Sequence, residues 1–338
     1  MPVRCRSLPS KRSGGAASPD DVVEAARRAR MRFNWKHENK PLIARFFMRI
    51  AASTYLNSAP LVYSFTQGLF QKKYNFIGDE APSRCAEMLR AGLCDIALIP
   101  VTELQRIPNL RIIPDIAVAS KKRVRSVLIA SRCPLAEVRS LSLDPSSRTS
   151  QALVKILFLQ RYGFLPELTE RAPAGPSGHP NPLESADAAL VIGDPAMKLE
   201  TSARRLDLKI YDLAEEWRAM TGAPFVFAVW AVREDSCERA MGLARGLAPG
   251  LAEDFIAAKH EGVGNIEGIA ARYSTELELP RSELLEYLSQ NVNYDLDEEN
   301  IAGMRLFFDL ARECGLIAQS RELRFVSWEK RERTEQTE

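Results

Sequence analysis

Histidine is scarce: three occur in 338 residues, at positions 37, 179 and 260. None stands near a segment rich in other reactive side chains, which argues against a histidine-dependent triad or general base. Gly-x-Ser-x-Gly, Gly-x-x-x-x-Gly-Lys-Ser/Thr and Gly-x-Gly-x-x-Gly are all missing, so nucleophile-elbow chemistry and Gly-rich cofactor binding have no support. The six cysteines (Cys5, Cys85, Cys94, Cys133, Cys237, Cys314) form no Cys-x-x-Cys pair and have no histidine at metal spacing. Neither zinc nor a disulfide framework is expected, and free thiols suit a reducing cytoplasm. No run of about 18 apolar residues is available to span a bilayer, and the N-terminus lacks the apolar core of a secretory signal. Internal repeats and sustained heptads are also missing. The expectation is a cytoplasmic protein with no cofactor, no metal and no membrane segment.

Charge is nearly balanced at +2, but unevenly spread. Residues 1–47 carry 11 Lys and Arg against 4 Asp and Glu, leaving 35 against 40 for the rest. A basic balance confined to one end does not argue for nucleic-acid binding by the folded part. Arg-rich residues 22–32 could imitate an organellar targeting helix, but a poorly ordered extension over 1–46 is the simpler reading. A convincing strand begins only at Arg49, so Met48 is expected to approximate the functional start.

With 46% hydrophobic residues, the chain can bury one large core or two moderate ones. Short apolar strands alternate with amphipathic helices, which predicts an α/β architecture with mostly parallel sheets. Strands are expected over 49–54, 74–78 and 94–101, with helices from about 58–60 and over 83–91. Long β-branched and aromatic runs at 124–131 and 225–232 bracket a second α/β unit: strand 141–144, helix 148–162, strand 186–192 and helices 195–200 and 214–221. Between them, 172–182 is a Pro/Gly loop. Long helices return at 236–260, 281–290 and 297–314. The economical topology inserts one lobe, 125–228, into another built from 47–124 and 229–320, with the two long runs as crossings and a fraying charged tail over 321–338. Ligands in such sheets sit beyond the carboxyl ends of strands, hence in the cleft between lobes.

One turn draws attention. Residues 141–150, Leu-Ser-Leu-Asp-Pro-Ser-Ser-Arg-Thr-Ser, carry a strand into the first turn of an apolar helix with four hydroxyls and a guanidinium. One N-cap needs one hydroxyl. Ser146, Ser147, Thr149 and Ser150 with Arg148 therefore read as an anion cradle at a helix N-terminus. Asn57, between the first strand and its helix, could donate and accept toward a hydroxyl beside a carboxylate, or simply cap the helix; the two readings weigh equally. Ser126 alone reads as a small polar residue at a strand edge. Gly193 could let a ligand approach the backbone, while Asp194 reads first as an N-cap before Pro195. Residues 224–230 read as core, and Glu215 and Glu216 as a solvated face.

Together, Ser-Thr-Tyr-Leu-Asn-Ser-Ala-Pro at 53–60, Asp-Ile-Ala-Leu-Ile-Pro-Val at 95–101, Val-Arg-Ser-Val-Leu-Ile at 124–129, Ser-Ser-Arg-Thr-Ser at 146–150, Ile-Gly-Asp-Pro-Ala at 192–196 and Thr-Gly-Ala-Pro-Phe-Val-Phe-Ala-Val-Trp at 221–230 resemble the chorismate dehydratases of the futalosine route to menaquinone. The resemblance spans roughly 48–315, in order and spacing. It implies a two-lobed, type II periplasmic-binding-protein-like fold and a metal-independent hydro-lyase that turns chorismate into 3-[(1-carboxyvinyl)oxy]benzoate. The family's active-site Asn and Ser match Asn57 and Ser126, which moves Ser126 into the expected site. Tyr55, Ser147, Arg148, Thr149, Ser150, Gly193 and Asp194 are then expected to bind substrate, with the proton taken by the substrate's own side-chain carboxylate. A small-molecule partner and a monomer or homodimer follow. The sister 1,4-dihydroxy-6-naphthoate synthases typically open with Ser-Pro-Cys-Pro-Asn-Asp and carry a histidine in the segment matching 191–195, and this chain has neither. A solute-binding protein for a small anionic aromatic ligand is the alternative of a different class.

Overall fold

The computed structural model describes residues 47–170, 183, 185–202, 206–237 and 250–327. The extension at 1–46, the Pro/Gly loop at 172–182, His37, His179 and much of the 236–260 helix lie outside the described residues.

Among the described residues, ten strands form two five-stranded sheets. The first has the order β2-β1-β3-β10-β4, where β1 is Arg49–Ser53, β2 Asn75–Asp79, β3 Ile96–Pro100, β4 Leu110–Ser120 and β10 Phe225–Arg233. The second has the order β7-β6-β8-β5-β9, from β5 Val127–Ser131, β6 Ser140–Leu143, β7 Glu167–Glu170, β8 Ala188–Ile192 and β9 Lys209–Asp212. Thus the chain completes the second sheet between two strands of the first.

Four of the five strands in each sheet run the same way, as the expectation of mostly parallel sheets has it, and one strand in each is reversed, which makes both sheets mixed. β1 runs parallel to β2 and β3, and β6 parallel to β7 and β8. β10 is antiparallel to both neighbours, and so is β5. The cause is connectivity: β5 and β10 each follow a crossing between sheets, so they start at the cleft, where the strands of the β-helix-β units end. An antiparallel pairing needs no long crossover.

Each crossing is held by local chemistry. β5 begins only at Val127, so the 124–131 run is half crossing segment and half strand. The Asp212 carboxylate accepts from the Val124 N–H at 3.0 Å and the Arg125 N–H at 2.6 Å, and from Ala214 at 2.9 Å, capping the helix Leu213–Thr221. On the return, Gly222 ends that helix with φ +76°. Trp217, fully buried, donates from its indole to the Pro224 carbonyl at 3.0 Å.

The long strand of the first crossing is β4, which sequence patterning does not reveal. Pro114 and Asp115 interrupt its apolar run, and Asp115 takes φ +60°. The ladder to β10 shifts register across that point, a bulge that accommodates the proline. Along the same strand, Ile112 exchanges hydrogen bonds with Arg324 and Val326. Arg324 and Val326 are therefore paired to the sheet, and residues 328–338 of the expected charged tail lie outside the described residues. No helix among the described residues is long and apolar enough to cross a membrane.

Candidate functional site

The carboxyl ends of β1, β3, β4, β6 and β8 and the first residues of β5 and β10 face one another across a cavity of about 40 Å³. Its walls are apolar: Leu98, Val118 and Phe227 on one side, Val127 and Ile192 on the other. Polar groups enter from Ser53, Tyr55, Asn57 and Ser58 of the first lobe and Ser147 and Ser150 of the second. Such a volume holds one or two waters, so a ring-sized ligand requires the lobes to part. Larger cavities of about 270 and 290 Å³ lie along residues 316–324, with no expected site residue in their walls.

Asn57 lies in a 3-10 turn, Leu56–Ser58, directly after β1. Ser58, not Asn57, precedes the helix Ala59–Thr66, so the capping alternative falls away. Ser58 pins the turn by donating from its hydroxyl to the Ser53 and Tyr55 carbonyls. The Asn57 amide makes no side-chain hydrogen bond among the described residues and lines the cavity. Next to it, burial pushes the Tyr55 phenol up to about 12, so the ring stays neutral and able to donate.

Of the five residues of the expected anion cradle, two, Ser147 and Ser150, face the cleft. Ser147 caps the helix Arg148–Leu157, accepting from the Ser150 N–H at 3.3 Å, with the two hydroxyls 3.0 Å apart. Ser146 instead donates to Asp144, closing a tight turn with a carboxylate that burial pushes upward. Thr149 is fully buried, and its hydroxyl accepts from the Thr102 N–H of the first lobe at 3.1 Å. Arg148 reaches across the lobe boundary to Glu87 at 2.7 Å and to the fully buried Glu103 at 3.0 Å. Arg90 binds the same two carboxylates. Arg148 and Thr149 thus bond to groups of the first lobe rather than facing the cavity, where the expectation has them hold substrate. The reason is helical geometry: positions 147 and 150 share a face, and 148 and 149 do not. That spacing was available in the sequence.

Ser126 and Asp194 also sit differently from expectation. Ser126 is 1% exposed and accepts a hydrogen bond from the Tyr287 phenol at 2.7 Å. Its neighbour Val127, not Ser126 itself, lines the cavity. Tyr287 opens a π turn, Tyr287–Asn291, at the end of the helix Arg281–Glu286, and periodicity gives no sign of it. Gly193 does line the cavity, with φ +69°, and its N–H donates to the Ser126 carbonyl at 2.7 Å. Asp194 begins the helix Asp194–Ser202 and does not line the cavity. Its Oδ1 instead accepts from the Leu56 N–H at 2.9 Å, across the cleft. His260 is exposed on the helix Leu251–Gly264.

Residues missed from sequence are mostly partners of these groups: Asp144, Glu87, Glu103 and Tyr287. Only Asp144 had a readable signal, an Asp-Pro-Ser turn at a strand end.

The model of a protein family described as menaquinone biosynthesis matches residues 48–313. A chorismate dehydratase of Thermus thermophilus is 28% identical over 240 residues, covering 67% of this chain and 83% of that protein. One from Campylobacter jejuni is 29% identical over 174 residues, covering 52% of this chain and 58% of that protein. Among solved structures, a Candida albicans gene product with the generic periplasmic-binding-protein fold superposes with a TM-score of 0.58 at 12% identity, over 81% of this chain and 92% of that one. The two-lobed α/β architecture is thus that of a periplasmic-binding-protein-like fold.

Proposed function

We propose that this chain, which belongs to the menaquinone biosynthesis family, removes water from chorismate to give 3-[(1-carboxyvinyl)oxy]benzoate. The observation that carries the reading is the cleft: apolar walls sized by lobe closure, edged by an amide and neutral hydroxyls. A ring with polar arms suits such a lining once the lobes part, the ring against the apolar walls and the arms toward the amide and hydroxyls. Two chorismate dehydratases among its relatives support it.

The chemistry asks little of the protein. Loss of the hydrogen from the carbon bearing the enolpyruvyl ether, and of the hydroxyl from the next carbon, leaves an aromatic ring and one water. The C–H electron pair becomes the ring double bond, and the departing hydroxide takes up the proton. Aromatisation supplies the driving force, so the reaction is read as metal-independent; the free thiols suit a reducing compartment such as the cytoplasm. The hydroxyls of Ser147, the N-cap of the helix Arg148–Leu157, and of Ser150 in its first turn hold a carboxylate at the helix N-terminus. Asn57 orients the ring hydroxyl, and Ser126 with Tyr287 supports the opposite side. The substrate's own side-chain carboxylate, held near the reacting carbon at high effective concentration, takes the proton and passes it to the departing hydroxide.

The test is to incubate the purified full chain with chorismate in the presence of a chelator and to follow mass and ultraviolet absorbance. A product one water lighter with an aromatic spectrum is expected. Chorismate bound but unchanged would overturn the proposal in favour of a binding protein.

Arg148 separates two versions of the site. Because it binds Glu87 and Glu103 rather than the cleft, Arg148→Gln removes an interlobe pair of about 1 kcal/mol. KM should rise about three- to tenfold with kcat nearly kept. A loss of about a hundredfold or more in kcat/KM would show that Arg148 holds the substrate carboxylate directly.

A further inference from the structure

We propose that Asp194 is a positioning residue for the reaction: from the second lobe it caps the 3-10 turn that carries Asn57, so the amide is locked in place only when the lobes are shut. The inference rests on the proposed dehydration and assigns Asp194 a part in it.

A 3-10 turn begins with N–H groups that have no partner within it. Here the N-cap residue, Tyr55, makes no side-chain capping bond. Other contacts hold the turn from its own lobe, and they act on carbonyls or on the preceding residue: Tyr273 donates to the Thr54 carbonyl at 2.9 Å, and the Thr54 N–H reaches the Asp79 carbonyl at 2.9 Å. The first N–H of the turn, that of Leu56, goes to a residue 138 positions away on the opposing lobe. Asn57 is the next residue. A carboxylate that neither lines the cavity nor pairs with a cation within 4.0 Å among the described residues, yet reaches the backbone beside the expected catalytic amide, acts through that amide. An ionised acceptor makes this a charge-assisted bond, stronger than a neutral one.

Gly193 explains why the reach is possible. Its positive φ and its bond to the Ser126 carbonyl start the helix so that Asp194 points over the boundary. The charged and titratable groups around Asp194 are Lys198 on its own helix, Tyr273 and Glu276 on the helix Ile266–Leu277, Tyr55 across the cleft and Tyr287. Burial pushes Asp194 up to about 6, against the Leu56 N–H and Lys198, which lower it. Protonation therefore weakens the cap as pH falls through that value. Asp212 is pushed to about 6 as well, so the assignment needs a variant at 194.

The experiment compares Asp194→Ala and Asp194→Asn with wild type. Asp194→Ala should lower kcat about tenfold with KM changed less than about threefold. Asp194→Asn keeps an acceptor and should recover most of that loss. In wild type, kcat should fall as pH drops through about 6, and Asp194→Asn should lack this limb. Adding Asp194→Ala to Asn57→Ala should cost less than about twofold more, because one acts through the other. Losses that multiply, or an acid limb that persists in Asp194→Asn, would overturn the proposal. A measurement without substrate separates its failure from that of the dehydration: the Leu56 amide nitrogen shift should titrate near pH 6 in wild type and not in Asp194→Asn. If chorismate is not turned over, this titration still decides whether Asp194 caps the turn; a flat Leu56 shift would refute the cap.

Discussion

Gly193→Ala should reduce kcat/KM at least about thirtyfold, a penalty of roughly 2 kcal/mol. Two costs add at this position. A side chain at φ +69° pays about 1–2 kcal/mol for the left-handed backbone, whichever way the lobes stand. The added Cβ would also lie 2.8–2.9 Å from three carbons of the Tyr55 ring, closer than carbon atoms approach without one of them moving. Tyr55 belongs to the first lobe and Gly193 to the second, so this second cost falls on the closed arrangement alone. The melting temperature should then drop by only a few degrees, while both KM and kcat suffer. Steady-state kinetics and calorimetry on the same preparation check the split. Activity within about threefold of wild type would show that the lobes do not need this contact distance to react.

The alternation of short apolar strands with helices was legible because each strand ends at a turn with recognisable chemistry. Seven of the ten strands could be located, most with ends within about two residues, among them β1 before its Ser-Thr-Tyr-Leu-Asn turn and β6 before Asp-Pro-Ser. β4 was not legible, because a proline and an aspartate in its middle imitate a break. β7 and β9 are four residues each, too short and too polar for periodicity to mark. At the site, Tyr55, Asn57, Ser147, Ser150 and Gly193 line one cavity; residue chemistry singles out Asn57, Ser147, Ser150 and Gly193 as candidates, and the family resemblance adds Tyr55. Arg148, Thr149, Ser126 and Asp194 stand in the expected neighbourhood but bond to protein groups instead of lining the cavity. Each bonds to a residue at least 45 positions away in the chain, and such partners exist only once the two sheets face each other. Local sequence chemistry identifies which groups gather at a cleft. Which of them turn toward the ligand depends on long-range pairing.

Asn57→Ala and Ser126→Ala should fail in different ways. Asn57 is half-buried and bonds to nothing through its side chain among the described residues. Its removal should therefore leave the melting temperature unchanged while kcat/KM falls about a hundredfold, the usual loss when one preorganised hydrogen-bonding group is deleted from an active site. Ser126→Ala leaves the phenol of Tyr287, itself 1% exposed, without its acceptor, and an orphaned buried donor costs about 1–3 kcal/mol. A clear fall in melting temperature should accompany its loss of activity. Tyr287→Phe then distinguishes how Ser126 contributes. If the hydroxyl of Ser126 acts on substrate after a small rotation, Tyr287→Phe releases it and activity survives. Matching losses in Ser126→Ala and Tyr287→Phe would make Ser126 an anchor for the tyrosine instead, leaving Asn57 as the polar group that meets the reacting ring. Changes within about threefold for both Asn57→Ala and Ser126→Ala, less than about 1 kcal/mol each, would remove both from the mechanism.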